Sequence, residues 1–104
     1  MKINVLYVDD IRQPNIHIYD LTNTNIDIVT NYVDAINKLN TNMYQIIDLD
    51  HDLGEDKTGY DICKYIIEHN IKCSEYRIHT SNVVGRQNMT QLLSRYTDSI
   101  IKQY

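Results

Sequence analysis

The chain has 104 residues, a net charge of −4, two cysteines, and no Phe or Trp. This length supports one domain over residues 1–104, since such a chain buries roughly 65% of the surface its unfolded form exposes and needs no disulfide or metal to fold. The acidic balance without a basic stripe argues against a nucleic-acid duplex as partner. No apolar run is long enough for a membrane span or patterned like a secretory leader, so a cytoplasmic setting is expected.

Residues 3–8 form a short apolar run that predicts a buried strand, and it ends in Asp9-Asp10. Residues 9–25 lack a helical period, contain the sole proline, Pro14, and are expected to be mostly loop. Ile26–Val29 is a short strand. Asn31 is placed to cap a helix in which Val33, Ile36 and Leu39 recur at helical spacing. Gln45–Asp50 is the next strand, followed by a polar loop over 51–58 that contains Gly54. Thr58 caps a second helix with Tyr60, Cys63, Ile66 and Ile67 on one face. Glu75–His79 is a strand, and Ser81 or Asn82 starts a third helix with Met89, Leu92, Leu93 and Tyr96 inward. Ser99–Lys102 is a last short strand. The tyrosines are expected to supply the aromatic packing, with their hydroxyls reaching the surface. Cys63 reads as a core residue and Cys73 as a free thiol.

Strands alternating with helices imply a parallel sheet with right-handed crossovers. In such sheets the site lies beyond the carboxyl ends of the strands. Asp9-Asp10, Asp50-His51-Asp52 and His79-Thr80-Ser81-Asn82 all fall there. Clustered carboxylates cost folding energy unless a cation compensates them. Asp9, Asp10, Asp50 and Asp52 are therefore candidate ligands for a divalent ion, Mg²⁺ first, with Mn²⁺ or Zn²⁺ as alternatives. Asp48, inside the strand, is expected to cap the sheet face or to face solvent, outside the site. His51 and His79 are candidates for proton transfer or for ligation of a softer metal. His17, in the first loop, and His69, at a helix C-terminus, are given no catalytic role. Thr80, Ser81 and Asn82 open a helix whose free N–H groups favour an anion, and Arg12 and Arg86 are placed to hold a phosphate. Gly59 and Gly85 are expected to relieve crowding near the site.

The order of Asp9-Asp10, Asp50, Thr80 and Lys102 resembles that of a response-regulator receiver domain. In that family these positions are an acidic pair, a phospho-accepting Asp, a Ser/Thr and a Lys at successive strand ends. Two departures stand out: His-Asp-Leu-Gly follows Asp50, and Ile-Arg-Gln-Pro replaces the start of the first helix. The motifs Val-Asp-Asp-x-Arg-x-Pro, Leu-Asp-His-Asp-Leu-Gly, Thr-Gly-Tyr-Asp and His-Thr-Ser-Asn-Val-Val-Gly-Arg-Gln-Asn-Met resemble a narrower group, the cyclic-phosphate-processing receiver domains. That resemblance implies a flavodoxin-like receiver fold: a five-stranded parallel sheet with helices on both faces, the first helix reduced or missing. It also implies metal-dependent processing of a cyclic phosphate or nucleotide-derived phosphoester. Asp50, His51, His79 and Thr80 would act on the substrate, and Arg12, Ser81, Asn82, Arg86 and Lys102 would bind it. A stand-alone phospho-accepting receiver, and a non-catalytic module that binds a nucleotide or a protein partner, are the alternatives.

Overall fold

The computed structural model describes residues 2–14, 19 and 22–103. His17 lies outside them. Five strands form one parallel sheet: β1 (Ile3–Val8), β2 (Thr24–Val29), β3 (Ile46–Leu49), β4 (Glu75–Ile78) and β5 (Ile100–Gln103), in the order β2-β1-β3-β4-β5. Three helices, α1 (Tyr32–Thr41), α2 (Gly59–Glu68) and α3 (Val83–Tyr96), follow β2, β3 and β4.

Each helix starts where a side chain satisfies its free N–H groups. The Asn31 side-chain oxygen Oδ1 accepts from Asp34 N at 2.9 Å. Thr58 and Asp61 form a reciprocal capping box. Of the two residues expected to open α3, Asn82 is the cap, accepting from Gly85 N at 2.8 Å. Thr24 and Asn25 extend β2 ahead of its expected start at Ile26.

Strand alternation divides the sheet into two unlike faces. Leu6, Val8, Val29, Ile47, Leu49, Tyr76 and Ile78 share one cluster with buried residues of all three helices, including Ala35, Ile62, Ile66, Met89 and Leu93. Full burial of each Val, Leu, Ile or Met side chain among these contributes roughly 1.5–3 kcal/mol. The other face carries Val5, Tyr7 and Tyr19, with Ile26 and Ile46 against them.

The five-stranded parallel receiver sheet with its first helix missing among the described residues is as expected, and the three helices described all contribute to one face. The reason is connection handedness. The chain moves in one direction across the sheet from β2 through β3 and β4 to β5, so right-handed crossovers put all three helices on one side. Only the step from β1 to β2 runs the other way, and there the described residues of the connection hold no helix.

Two expectations about single side chains are corrected. Val33, expected on the inner face of α1, is 63% exposed, and Ala35 takes its place beside Leu39. Tyr76 is fully buried, and its hydroxyl donates to Ile71 O rather than reaching the surface. No helix among the described residues is long and apolar enough to cross a membrane.

Gly59 sets the path of the loop that leaves β3. Its N–H donates to His51 O at 2.8 Å, and a Cβ there would lie 2.0 Å from Asp50 O. Since the obstructing atom is backbone, Gly59→Ala should destabilise the protein toward the upper end of the roughly 1–3 kcal/mol typical of overpacking. Urea unfolding of the variant against the parent measures this.

Candidate functional site

Three adjacent strands end at one level. The ladder continues one residue past each: Asp9 N donates to Val29 O, Asp50 N to Val8 O and His79 N to Leu49 O. Asp9, Asp50 and His79 are thereby fixed side by side, and all three are buried. Strand alternation turns Tyr7 and Asp9, Asp48, and His79 toward one another, where they touch.

Asp9 is held from several sides. Its Oδ1 accepts from Ile11 N at 2.9 Å and Arg12 N at 2.8 Å, and its Oδ2 meets Arg12 Nε at 3.2 Å and His79 Nε2 at 3.0 Å. Burial pushes the Asp9 carboxyl up, but these N–H groups and the His79 ring together hold it below its ordinary value. Arg12 also donates through Nη2 to His79 O at 2.9 Å and lies 3.8 Å from Asp50 Oδ2. It ties the loop after β1 to the end of β4.

Asp50 accepts from His51 N at 2.7 Å through Oδ1. Burial raises its proton affinity; a hydrogen bond from the Thr80 side chain opposes that, and the charge of Asp9 adds to it, leaving the carboxyl above its ordinary value. The His79 ring stacks on Tyr7, with centroids 4.6 Å apart and planes within 6°. Its Nδ1 meets Asp48 Oδ1 at 2.5 Å. Burial lowers the proton affinity of His79, but the hydrogen bonds and charges of Asp48 and then Asp9 outweigh it and hold the ring above its ordinary value.

Asp48 corrects an expectation. It neither caps the face nor meets solvent: it is fully buried, with one oxygen on His79 and the other accepting from the Tyr19 hydroxyl. Its two-residue spacing from Asp50 was the signal, because alternate strand residues share a face. Tyr7 carried the same signal relative to Asp9. Tyr19 lies in a segment without periodicity, and nothing in the sequence marked it.

The oxygens of Asp9 and Asp50 and a ring nitrogen of His79 lie within 4.8 Å of one another, a donor set that fits a divalent cation. Asp10 and Asp52 are not in this group. Asp10 Oδ2 sits 3.0 Å from where a Cβ on Gly54 would stand, and the largely exposed Asp52 turns to His51 and Asn82. His51 belongs to a second group at the start of α3. Its Nδ1 meets Asp52 Oδ1 at 2.8 Å, and its ring lies against Gly85, where a Cβ would come within 2.4 Å of Cγ. Thr80 is buried beside Asp50, Arg86 Nη1 reaches Thr80 O at 3.5 Å, and Ser81 is exposed.

A family model described as the cyclic-phosphate processing receiver domain matches residues 4–95. The chain belongs to that family. No curated protein matches it. Among solved structures, it is similar to a response regulator from Burkholderia pseudomallei with a phosphorylated aspartic acid, a calcium ion and citrate, at 12% identity and a TM-score of 0.71. That match covers 98% of this chain and 59% of the other, so this chain spans less than two thirds of that protein. A CheY-like receiver domain from Methylobacillus flagellatus matches at 16% identity and a TM-score of 0.69, over 98% of this chain and 86% of the other. A signal receiver domain of a putative Luxo repressor from Vibrio parahaemolyticus matches at 23% identity and a TM-score of 0.68, over 98% and 78%. These likenesses show the receiver fold.

Within this receiver domain the lysine expected at the site is elsewhere. Lys102 lies beside Arg77 in the β4–β5 register, and its Nζ is 3.5 Å from Glu75 Oε1, at the end of β4 away from Thr80. It faces that way because Ile101 takes the helix-side position of β5.

The site makes stability depend on pH in opposite senses. His79 has a raised folded-state pKa, so its contribution is complete below its ordinary value of 6.5 and fades as pH rises through the folded value. Asp9 has a lowered one, so its contribution is present above its ordinary value of 3.8 and is lost as pH falls through the folded value. The ionised Asp50 is held against burial and a like charge. Asp50→Asn should therefore raise the melting temperature at pH 7 without added metal, by about 4–8 °C for each kcal/mol recovered. Thermal melts of both proteins across pH 4–9 check the sign.

Proposed function

We propose that this receiver domain hydrolyses one P–O ester bond of a cyclic phosphate or nucleotide-derived phosphoester at the carboxyl edge of its sheet. The observation that carries the reading is His79, a buried imidazole between Asp48 and Asp9 and within ligand reach of Asp50. Phospho-acceptance by Asp50 alone has no evident use for that ring.

Asp9, Asp50 and His79 would hold a divalent cation, whose charge would stabilise a phosphoryl oxygen. The imidazole moves the expected ion from Mg²⁺ toward Mn²⁺ or Zn²⁺, which take nitrogen ligands readily. The first N–H groups of α3 face the same edge and suit an anion. Arg12 and Arg86 lie at its rim and are placed to orient the phosphate. Hydrolysis adds water across the ester bond, so the departing oxygen must gain a proton. His51 is suited to carry it from the attacking water, because Asp52 engages Nδ1–H and leaves Nε2 to take that proton and pass it on.

The assay is hydrolysis of 2′,3′- and 3′,5′-cyclic nucleotides and terminal cyclic phosphates with Mn²⁺, Zn²⁺ or Mg²⁺, read by mass spectrometry. His51→Gln should lower kcat by roughly 10²–10⁴-fold, the usual contribution of general acid–base catalysis, with metal binding unchanged. His79→Gln should lose both turnover and metal affinity. Unchanged hydrolysis in the double variant would sink the roles given to the histidines.

A second reading has support of its own. Asp50 ends β3 with the Thr80 side chain hydrogen-bonded to its carboxyl, and a similar fold from Burkholderia pseudomallei carries a phosphorylated aspartic acid. Under that reading, acetyl phosphate with Mg²⁺ leaves a lasting single adduct in intact-mass spectra, absent from Asp50→Asn, and no cyclic phosphate is turned over. Tight nucleotide binding with neither adduct nor turnover would point to a binding module.

A further inference from the structure

Asp48 is placed by nothing in the proposed chemistry, yet it is among the most enclosed polar groups of the protein. It is fully buried on β3, on a face otherwise built around Val5, Tyr7 and Ile46. A carboxylate in such a place is costly to desolvate unless its partners are well placed. Its partners are specific. Oδ1 lies 2.5 Å from His79 Nδ1, and Oδ2 accepts from the Tyr19 hydroxyl, whose ring lies under the Arg77 guanidinium at 4.8 Å.

His79 is fixed in three directions. Tyr7 stacks on its plane, Asp48 holds Nδ1, and Nε2 points to Asp9. Turning the ring over would set carbon atoms against both carboxylates.

We propose that Asp48 is a positioning residue that keeps a proton on His79 Nδ1 and so makes Nε2 the atom presented to Asp9 and Asp50, with Tyr19 fixing the Asp48 carboxylate in turn. This rests on the reading of His79 as a member of the cation-holding group. The physical reason is tautomeric. An imidazole binds a metal ion only through an unprotonated nitrogen, and a carboxylate on the other nitrogen decides which one that is. Asn in place of Asp48 keeps the shape but can turn its NH₂ toward Nδ1. The ring proton then moves to Nε2, the one atom that must be free.

The test uses the whole chain with ¹⁵N-labelled histidine. Long-range ¹H–¹⁵N spectra of the parent should show Nδ1 protonated before and after Zn²⁺ is added, with the Nε2 resonance shifting on addition. Asp48→Asn should lower the Nδ1-protonated population and weaken Zn²⁺ binding by roughly 10–100-fold, the usual effect of removing a carboxylate behind a ligating histidine. Tyr19→Phe removes the hydroxyl that donates to Oδ2, so the Nδ1 proton should move downfield as its bond to Asp48 tightens.

An unprotonated Nδ1 in Zn²⁺-loaded parent protein overturns the proposal without any variant, so a failure of Asp48→Asn to fold does not rescue it. Folded Asp48→Asn with the parent's tautomer and Zn²⁺ affinity also overturns it. The underlying reading fails separately: Zn²⁺ affinity unchanged in His79→Gln would remove His79 from the site whatever its tautomer.

Discussion

A buried imidazole between two buried carboxylates joins three strands of this protein. Asp48 comes from β3, Asp9 from the end of β1, and His79 from the end of β4. Each group alone would resist burial. Together the carboxylates favour the charged ring and the ring favours the ionised Asp9, so the three offset part of one another's desolvation. Removing one member leaves the others buried without compensation, which costs more than the intact arrangement gains.

The network lies on the sheet face to which, among the described residues, no helix contributes. Right-handed connections send all three helices to the other side, where Leu6, Ile47, Tyr76 and the helix residues make an apolar core. The opposite face has room for polar side chains: Tyr7 and Asp48 meet His79 there, and Tyr19 donates to Asp48. Core stability and site chemistry thus occupy opposite sides of one sheet, linked through alternate residues of the same strands. Leu49 packs inward between Asp48 and Asp50.

The two histidines stand in unlike surroundings although both pair with an aspartate. His79 is enclosed, with Asp48 holding Nδ1 and Nε2 directed at the Asp9–Asp50 group, which suits a fixed ligand. His51 lies near the surface against Gly85, with the exposed Asp52 as its partner, which suits a group that exchanges protons with substrate and water. The glycines preserve this division: a side chain at Gly85 would displace the His51 ring, and one at Gly59 would push back the loop carrying it.

Much of this was written locally in the chain. Apolar runs, Asn31, Thr58 and Asn82 marked the elements and their caps, because strand period and capping depend only on neighbouring residues. The acidic pair, the Leu-Asp-His-Asp-Leu-Gly run and the His-Thr-Ser-Asn segment marked the family and the edge of the sheet where its polar residues gather. Spacing could not say which of them meet. Asp10 and Asp52 have the composition of ligands but fall outside the group formed by Asp9, Asp50 and His79, while Asp48 looked structural and lies behind His79. Lys102 occupied the expected place in sequence, yet the register of β5 turns it to Glu75. Local patterns therefore determined the elements and the residue types at their ends. Strand order, side-chain parity and register, which depend on contacts between distant segments, decided which groups share the site.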